Sequence, residues 1–415
     1  MKLLNVDTLE AARQKILGFA SLWKFPHEEL TLNQVLSFGF ARPKILAEDL
    51  YSPDDIPGFA RSTVDGYALL ASDSAGAGEA IPVFLKLAGT VAMGKPVDFS
   101  IQSGECAYVP TGGMLPAGAD AVVMVEHCEN AAENIAVYEA AAAGAGTALA
   151  GEDVRKGGLL LRRGALIRPQ EAGALAAAGV NSVPVFAPLA LSLISTGDEL
   201  IPSEQNPRPG EIRDINTTAL KAQALKRGFR VLSSRLFGDD EKRLEAAMRE
   251  ALPESDILLV SGGSSQGEKD YTAGIFNRIS KPGVFTHGLA LKPGKPTILG
   301  WDEKSQTLLV GLPGHPVAAM MVFELLLGWL FDKLFDRPSL FAIPAKISCN
   351  LPASPGRAVC QPVILHLKEG SYTAEPVFGK SGMITTLTQA DGYIIIDLNK
   401  EGLTKGEDVL VNLLG

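Results

Sequence analysis

A chain of 415 residues, 46% apolar and 20% charged, is a folded polypeptide of roughly two to four domains. Its net charge of −9 and its lack of a strongly basic block argue against nucleic acid as a partner. The opening segment, MKLLNVDTLEAARQKIL, is amphipathic, carries Asp7 and Glu10, and lacks a signal peptide's apolar core, so a cytoplasmic protein is expected.

Cys106, Cys128, Cys349 and Cys360 form no CxxC pair and read as reduced thiols, not as a zinc site or disulfide framework. The most apolar segment, residues 317–335, holds Glu324 at its middle and Asp332 near its end. An acid there argues against a membrane span and for a buried core or subunit-interface helix.

Residues 1–48 read as helical, with Leu9, Ala12, Ile16 and Phe19 on one face. Short β-compatible runs follow at 64–70, 83–87, 106–109, 121–126 and 135–139, separated by Gly- and Pro-rich turns. Residues 140–150, AAAAGAGTALA, are small and read as a linker or hinge. Residues 169–178 suit a short helix, with proline at its start and Gly179 just past its end.

From about 188 strands and helices alternate. Strands are predicted at 189–194, 230–236, 257–260 and 307–310, and helices at 217–227, 241–252 and from about 272. From about 339 the chain is β again, in AKISCNL, PVILHL, YTAEPVF and GYIIIDL. The expected fold is multidomain α/β plus β. A central doubly wound α/β domain (188–338) is joined by an elongated helical and extended N-terminal region (1–48 with 145–187). A β-rich insert (49–144) and a small C-terminal β-barrel (339–415) complete it.

The loops after three of the α/β strands carry acidic pairs: Asp198 and Glu199, Asp239 and Asp240, Glu268 and Asp270. In an open α/β sheet these loops meet at the carboxyl edge, where ligands bind. Carboxylates there suit Mg²⁺, which also binds substrate phosphate. Any one pair can equally cap the following helix. The stretch Ser261-Gly262-Gly263 makes a sharp turn whose bare backbone lets an anion approach. Lys292-Pro293-Gly294-Lys295-Pro296 is a rigid turn with two cations, fit for a phosphate or for solvent. Gly311 to Pro316 leads into a helix N-terminus, with His315 as a phosphate donor or a structural residue. Ser62 to Ala68 (with Asp65) and the Thr111-Gly112-Gly113 segment read locally as turns. No Walker loop, GxSxG, HExxH or GxGxxG pattern is present.

Taken in order, STVDGYA, PTGGMLPAGADAVVMVE, GEDVRKGG, STGDEL, GEIRDINTTAL, SGGSSQGEKDYT, LKPGKP and GLPGHPVAA resemble the molybdopterin molybdenumtransferase family over nearly the whole chain. The resemblance implies four structural domains, an L-shaped homodimer and a site in a cleft between subunits. It also implies a reaction in which adenylylated molybdopterin and molybdate give molybdenum cofactor and AMP with Mg²⁺ assisting. By the same resemblance, Asp65, Thr111, Glu199, Asp239 and Asp270 are catalytic, with Glu199, Asp239 and Asp270 holding the metal. Asp153, Ser261, Gly262, Gly263, Lys292, Pro293, Lys295, Pro296, Pro313, His315 and Pro316 bind substrate. Expected partners are the molybdopterin adenylyltransferase and cofactor-accepting enzymes, with no nucleic acid and no membrane.

The chain departs from the family's usual pattern at Ala60-Arg61, Ser264-Ser265-Gln266, Gly288, His315 and Gln361; relatives usually carry Asn where His315 stands. The alternative reading is a noncatalytic or retuned paralogue. It would insert tungstate, or serve as a pterin- or oxyanion-binding carrier or regulator.

Overall fold

A computed structural model describes residues 6–37, 44–262, 271–335, 342–368 and 370–414. The chain forms two compact units. One comprises Met1–Glu28, Val35–Ile45 and Val185–Gly415, and the other Glu29–Gln34 and Leu46–Pro184.

The N-terminal region is less helical than its composition suggests. Helix α1 (Leu9–Ala20) buries Ala12, Ile16 and Ala20 as the spacing requires. Residues His27–Thr31 form a strand whose side chains alternate between exposed and half-buried, and a short helix, Leu32–Ser37, follows. The two-residue period of HEELT, one face covered and one wet, selects strand over helix.

The smaller unit holds a six-stranded sheet. Its strands are β1 (Gly66–Leu69), β2 (Val83–Thr90), β3 (Glu105–Val109), β4 (Ala121–Met124), β5 (Cys128–Ala131) and β6 (Asn134–Val137), in the order β4-β1-β3-β2-β6-β5. Residues 140–150 are not the free linker that their composition suggests. Val122 N donates to Ala145 O, Thr63 N donates to Gly146 O, and Thr147–Ala148 pairs with Arg61–Ser62. Small side chains here let the segment lie against the sheet. Helix α2 (Pro169–Ala177) runs from proline at its first turn to the expected end.

In the larger unit the alternation from 188 is real. The elements are β7 (Ala190–Thr196), α3 (Asn216–Arg227), β8 (Arg230–Phe237), α4 (Glu241–Ala251), β9 (Ile257–Ser261), α5 (Tyr271–Ile279), β10 (Pro282–His287), β11 (Ile298–Asp302), β12 (Thr307–Leu312) and α6 (Pro316–Phe323). Strand order is β8-β7-β9-β12-β11-β10. The first four are parallel, while β10 and β11 form an antiparallel pair attached to β12. The sequence did not suggest that pair, because Pro282-Gly283 and Gly300 look like turn signals. β9 is buried at every residue, as a strand covered on both faces must be. Helices α4 and α5 pack Leu244, Met248, Ile275 and Phe276 against Ile194, Leu258, Val260 and Leu309. Helices α3 and α6 pack together and against β7 and β12 respectively.

The apolar stretch after Pro316 is buried and helical, and its middle turn, Glu324–Gly328, widens to a π-helix. Glu324 is not unpaired. It meets Arg227, which also reaches Asp332 at 3.4 Å, and all three side chains are at most 14% exposed. Gln223 Nε2 donates to Glu324 as well. Among the described residues no helix is long and apolar enough to cross a membrane.

The C-terminal residues close a small barrel: β13 (Ala342–Ile347), β14 (Ala358–Lys368), β15 (Ser371–Pro376), β16 (Gly392–Ile396) and β17 (Asp408–Leu413). The ring runs β14-β15-β13-β17-β16 and returns to β14. The sequence reading stopped short of β17, the strand that closes the ring. The four cysteines are free thiols, and burial pushes that of Cys106 up to about 12.

A buried charge network is costly to break from one side. Replacing Arg227 by Leu would remove the buried cation that Glu324 and Asp332 share. The expected loss in denaturant unfolding is about 3–5 kcal/mol. A loss near zero would contradict the assignment of these three groups as one buried network.

Candidate functional site at the strand ends

The carboxyl ends of β7 and β9 lie side by side, with Ser195 in register with Ser261. Just beyond, Gly262 has φ +99°, and a Cβ there would stand 2.1 Å from Thr196 O. Only glycine lets the two chain ends pass this closely.

The acidic loops separate into distinct roles. Thr196 Oγ1 donates to Asp239 Oδ1 at 2.8 Å, and Asp198 Oδ1 accepts from Asp239 N at 2.8 Å. Asp240 caps α4, its side chain accepting from Lys242 N and Arg243 N at 3.0 and 3.1 Å. Capping therefore belongs to Asp240, and Asp239 is turned toward Thr196. Among the described residues Asp239 Oδ2 takes no hydrogen bond.

The amino end of α3 supplies groups that sequence reasoning missed. Asp214 accepts from Thr217 N at 3.0 Å and from Thr217 Oγ1, and Ser195 Oγ lies 2.8 Å from that hydroxyl. Asn216 is 9% exposed and spends both amide hydrogens, one on Ser261 Oγ and one on Gly314 O, each at 2.7 Å. One residue thus ties α3, the end of β9 and the loop after β12. The run Asp-Ile-Asn-Thr looks like ordinary helix-start chemistry, which hid this role.

These ends enclose a cavity of about 620 Å³, within the usual range for a small-molecule site. Of the residues singled out from sequence, Glu199, Asp239, Ser261, Gly262, Pro296, Pro313, His315 and Pro316 line it, joined by Thr196, Asp214, Asn216 and Arg213. Lys292, Pro293 and Lys295 are not among its lining residues, and Lys292 lies on a two-residue strand paired with β14. Gly263 and Asp270 lie outside the described residues. Among the described residues no group of three or more His, Cys, Asp or Glu is arranged to hold a metal ion; of the three predicted metal ligands, Glu199 and Asp239 line the cavity.

Asp65, Thr111 and Asp153 belong to the other unit. There Thr111 donates twice to Asp65 Oδ1, from its backbone N at 2.7 Å and its hydroxyl at 3.0 Å. These bonds hold the Asp65 carboxyl below its ordinary value. Gly66 then starts β1 so close to β4 that a Cβ would fall 2.2 Å from Val123 O. What reads as a turn dipeptide is the start of a closely paired strand, with an acid just before it.

Three family descriptions cover the chain: the MoeA N-terminal region (domain I and II) at 8–179, a probable molybdopterin binding domain at 192–332, and the MoeA C-terminal region (domain IV) at 344–414. The chain belongs to the molybdopterin molybdenumtransferase family. The family's members act in molybdenum cofactor biosynthesis as transferases. A putative molybdopterin biosynthesis protein of Methanocaldococcus jannaschii is 33% identical over 100% of both chains. A molybdopterin molybdenumtransferase of Haemophilus influenzae is 30% identical over 97% of this chain and 98% of its own. The crystal structure of a molybdopterin biosynthesis MoeA protein from Pyrococcus horikoshii OT3 superposes with a TM-score of 0.82 at 28% identity, covering 98% of this chain and 100% of that one.

Two outcomes follow from the geometry. Asp240→Ala lowers unfolding stability by about 1 kcal/mol through the lost cap, whereas Asp239→Asn leaves the cap intact; equal losses would contradict the division of roles. Separately, Asp65 with a lowered folded-state pKa stabilises its unit above the ordinary carboxylate range. That contribution is lost as pH falls through the lowered value. Thr111→Val raises the Asp65 pKa toward its ordinary value in a carboxyl ¹³C titration, and an unmoved Asp65 would refute the two-bond explanation.

Proposed function

We propose that the strand-end cavity takes the phosphate end of adenylylated molybdopterin, and that the chain inserts molybdenum from molybdate into it with release of AMP. The observation that carries this reading is the convergence of Glu199, Asp239, Ser261 and His315 on one cavity between Gly262 and the Pro313–Pro316 loop.

The parts of the cavity suit that chemistry. Ser261 Oγ accepts from Asn216, so its own hydrogen is available for a phosphate oxygen. Prolines 296, 313 and 316 give flat apolar wall for a heterocycle. Asn216 holds the Ser261 and Gly314 walls at fixed spacing, which keeps the reacting groups in register. Glu199 and Asp239, whose Oδ2 takes no hydrogen bond among the described residues, are hard oxygen donors of the kind Mg²⁺ takes alongside substrate phosphate, and they would hold it. When bound, the ion would supply positive charge against the phosphoanhydride oxygens as water cleaves that bond and AMP leaves. Replacement of the oxo groups of molybdate by dithiolene sulfurs needs protons, and an acid beside the cavity can deliver them.

The reading carries further expectations: a cytoplasmic homodimer, substrate received from the molybdopterin adenylyltransferase, and product passed to cofactor-accepting enzymes.

The purified full chain, mixed with adenylylated molybdopterin, molybdate and Mg²⁺, is expected to release AMP in a molybdate-dependent manner. Glu199→Gln and Asp239→Asn each slow that release roughly a hundredfold or more, the scale of a lost electrostatic group. Tight binding with no molybdate-dependent AMP would replace insertion by the carrier reading. Faster release with tungstate would reassign the metal.

A further inference from the structure

His315 caps α6 between Gly314 and Pro316, with extended backbone at φ −72° and ψ 126°. Its ring lines the cavity and is exposed. What fixes the ring comes from the C-terminal barrel. Ser381 Oγ lies 2.8 Å from His315 Nδ1. The backbone O of the same serine accepts from Val317 N at 3.1 Å, an amide of the first helical turn that has no partner inside the helix. Gly382 lines the cavity beside it, and a Cβ there would stand 3.8 Å from His315 Cδ2. The barrel segment therefore grips both the start of α6 and the imidazole.

We propose that Ser381 is a positioning residue that fixes His315 as a hydrogen-bond donor, through Nε2, to an oxyanion in the cavity. The tautomer turns on which way the Ser381 hydroxyl points: donating to Nδ1 it goes with the ring proton on Nε2, accepting from Nδ1 it goes with the other tautomer. A serine hydroxyl has one hydrogen to give. In the proposed arrangement the hydroxyl donates to Nδ1, its one partner among the described residues, and the neutral ring carries its proton on Nε2. If the ring takes a second proton, Nδ1–H donates back to the same oxygen and Nε2–H stays in place. Serine supports both states because it can donate or accept. Nε2 has no partner among the described residues, and the cavity wall also bears Glu199, Asp239 and Asp214. An anion entering among three carboxylates needs donors, and Nε2–H is one.

The tautomer is independent of the reaction; that the ligand is an oxyanion rests on the proposed function. Molybdate and a nucleotide phosphate share this chemistry, and the test separates them. Long-range ¹H–¹⁵N spectra of the histidine-labelled full chain, with His315→Asn to assign the ring, report the tautomer of the neutral imidazole directly. The wild type is expected to show Nε2–H, Ser381→Thr to keep it, and Ser381→Ala to give a mixture. Molybdate or AMP, added separately, is expected to shift the Nε2 resonance, and the one that does so identifies the oxyanion. Affinity for it falls roughly ten- to a hundredfold in Ser381→Ala and is restored in Ser381→Thr.

An Nδ1–H tautomer in the wild type, an unchanged tautomer in Ser381→Ala, or no Nε2 response to either ligand overturns the proposal. Should Ser381→Ala disturb the fold, the wild-type tautomer and ligand response still decide. Absence of molybdate-dependent AMP release with the tautomer and oxyanion response intact sinks the insertion reading alone. AMP release with a free tautomer sinks only this one.

Discussion

The contact on which the site depends is the passage of Gly262 across Thr196. A Cβ at 262 would meet the Thr196 carbonyl at 2.1 Å, well inside any real contact. Because that Cβ is absent, β7 and β9 stay in register to the last residue of β9, Ser195 beside Ser261. Thr196 can meet Asp239 from the neighbouring strand, and a Cβ on Gly314 would come within ordinary contact of Gly262. Spread those ends apart and the acids no longer share a wall.

Around this contact the molecule spends buried hydrogen bonds, each worth about 1 kcal/mol net but several times that if left half-made. Asn216 bonds two walls, and the Asp214, Thr217 and Ser195 chain anchors the helix it belongs to. The far end of α3 is held as firmly, through Arg227 to Glu324 and Asp332. Helix α3 is thus pinned at both ends, one end lining the cavity and the other locking it to the long apolar helix. The barrel adds its own hold at the start of α6, through Ser381. Rigid elements on several sides are what a reacting geometry needs.

Much of this was legible in the sequence where a local rule and the tertiary structure agree. Ile257 to Val260 reads as a buried parallel strand and is one. The turn residues after it announce a close backbone approach, and Gly262 makes it. Family motifs marked Glu199 and Asp239, and both line the cavity. Legibility failed where chemistry that is local in appearance serves distant partners. Asp214 and Asn216 look like a helix start, yet Asn216 ties α3 to the end of β9 and to the loop after β12. Asp239 and Asp240 are adjacent acids, and sequence cannot say which caps and which faces Thr196. Lys292 and Lys295 are cations on a rigid turn, but the strand that carries Lys292 is drawn to the barrel by pairing with β14. Residues 140–150 look loose because they are small; small side chains also let a segment pack. Ser381 stands far along the chain from His315, and no local pattern links them.

The central claim is that the cavity at the ends of β7, β9 and β12 is where substrate reacts. The most direct measurement is a crystal structure of the full chain grown with AMP, molybdate and Mg²⁺. The account predicts a phosphate within hydrogen-bond reach of Ser261 Oγ, about 3 Å, with Glu199 and Asp239 on its metal side. AMP and molybdate bound elsewhere, with this cavity holding only water, would contradict it.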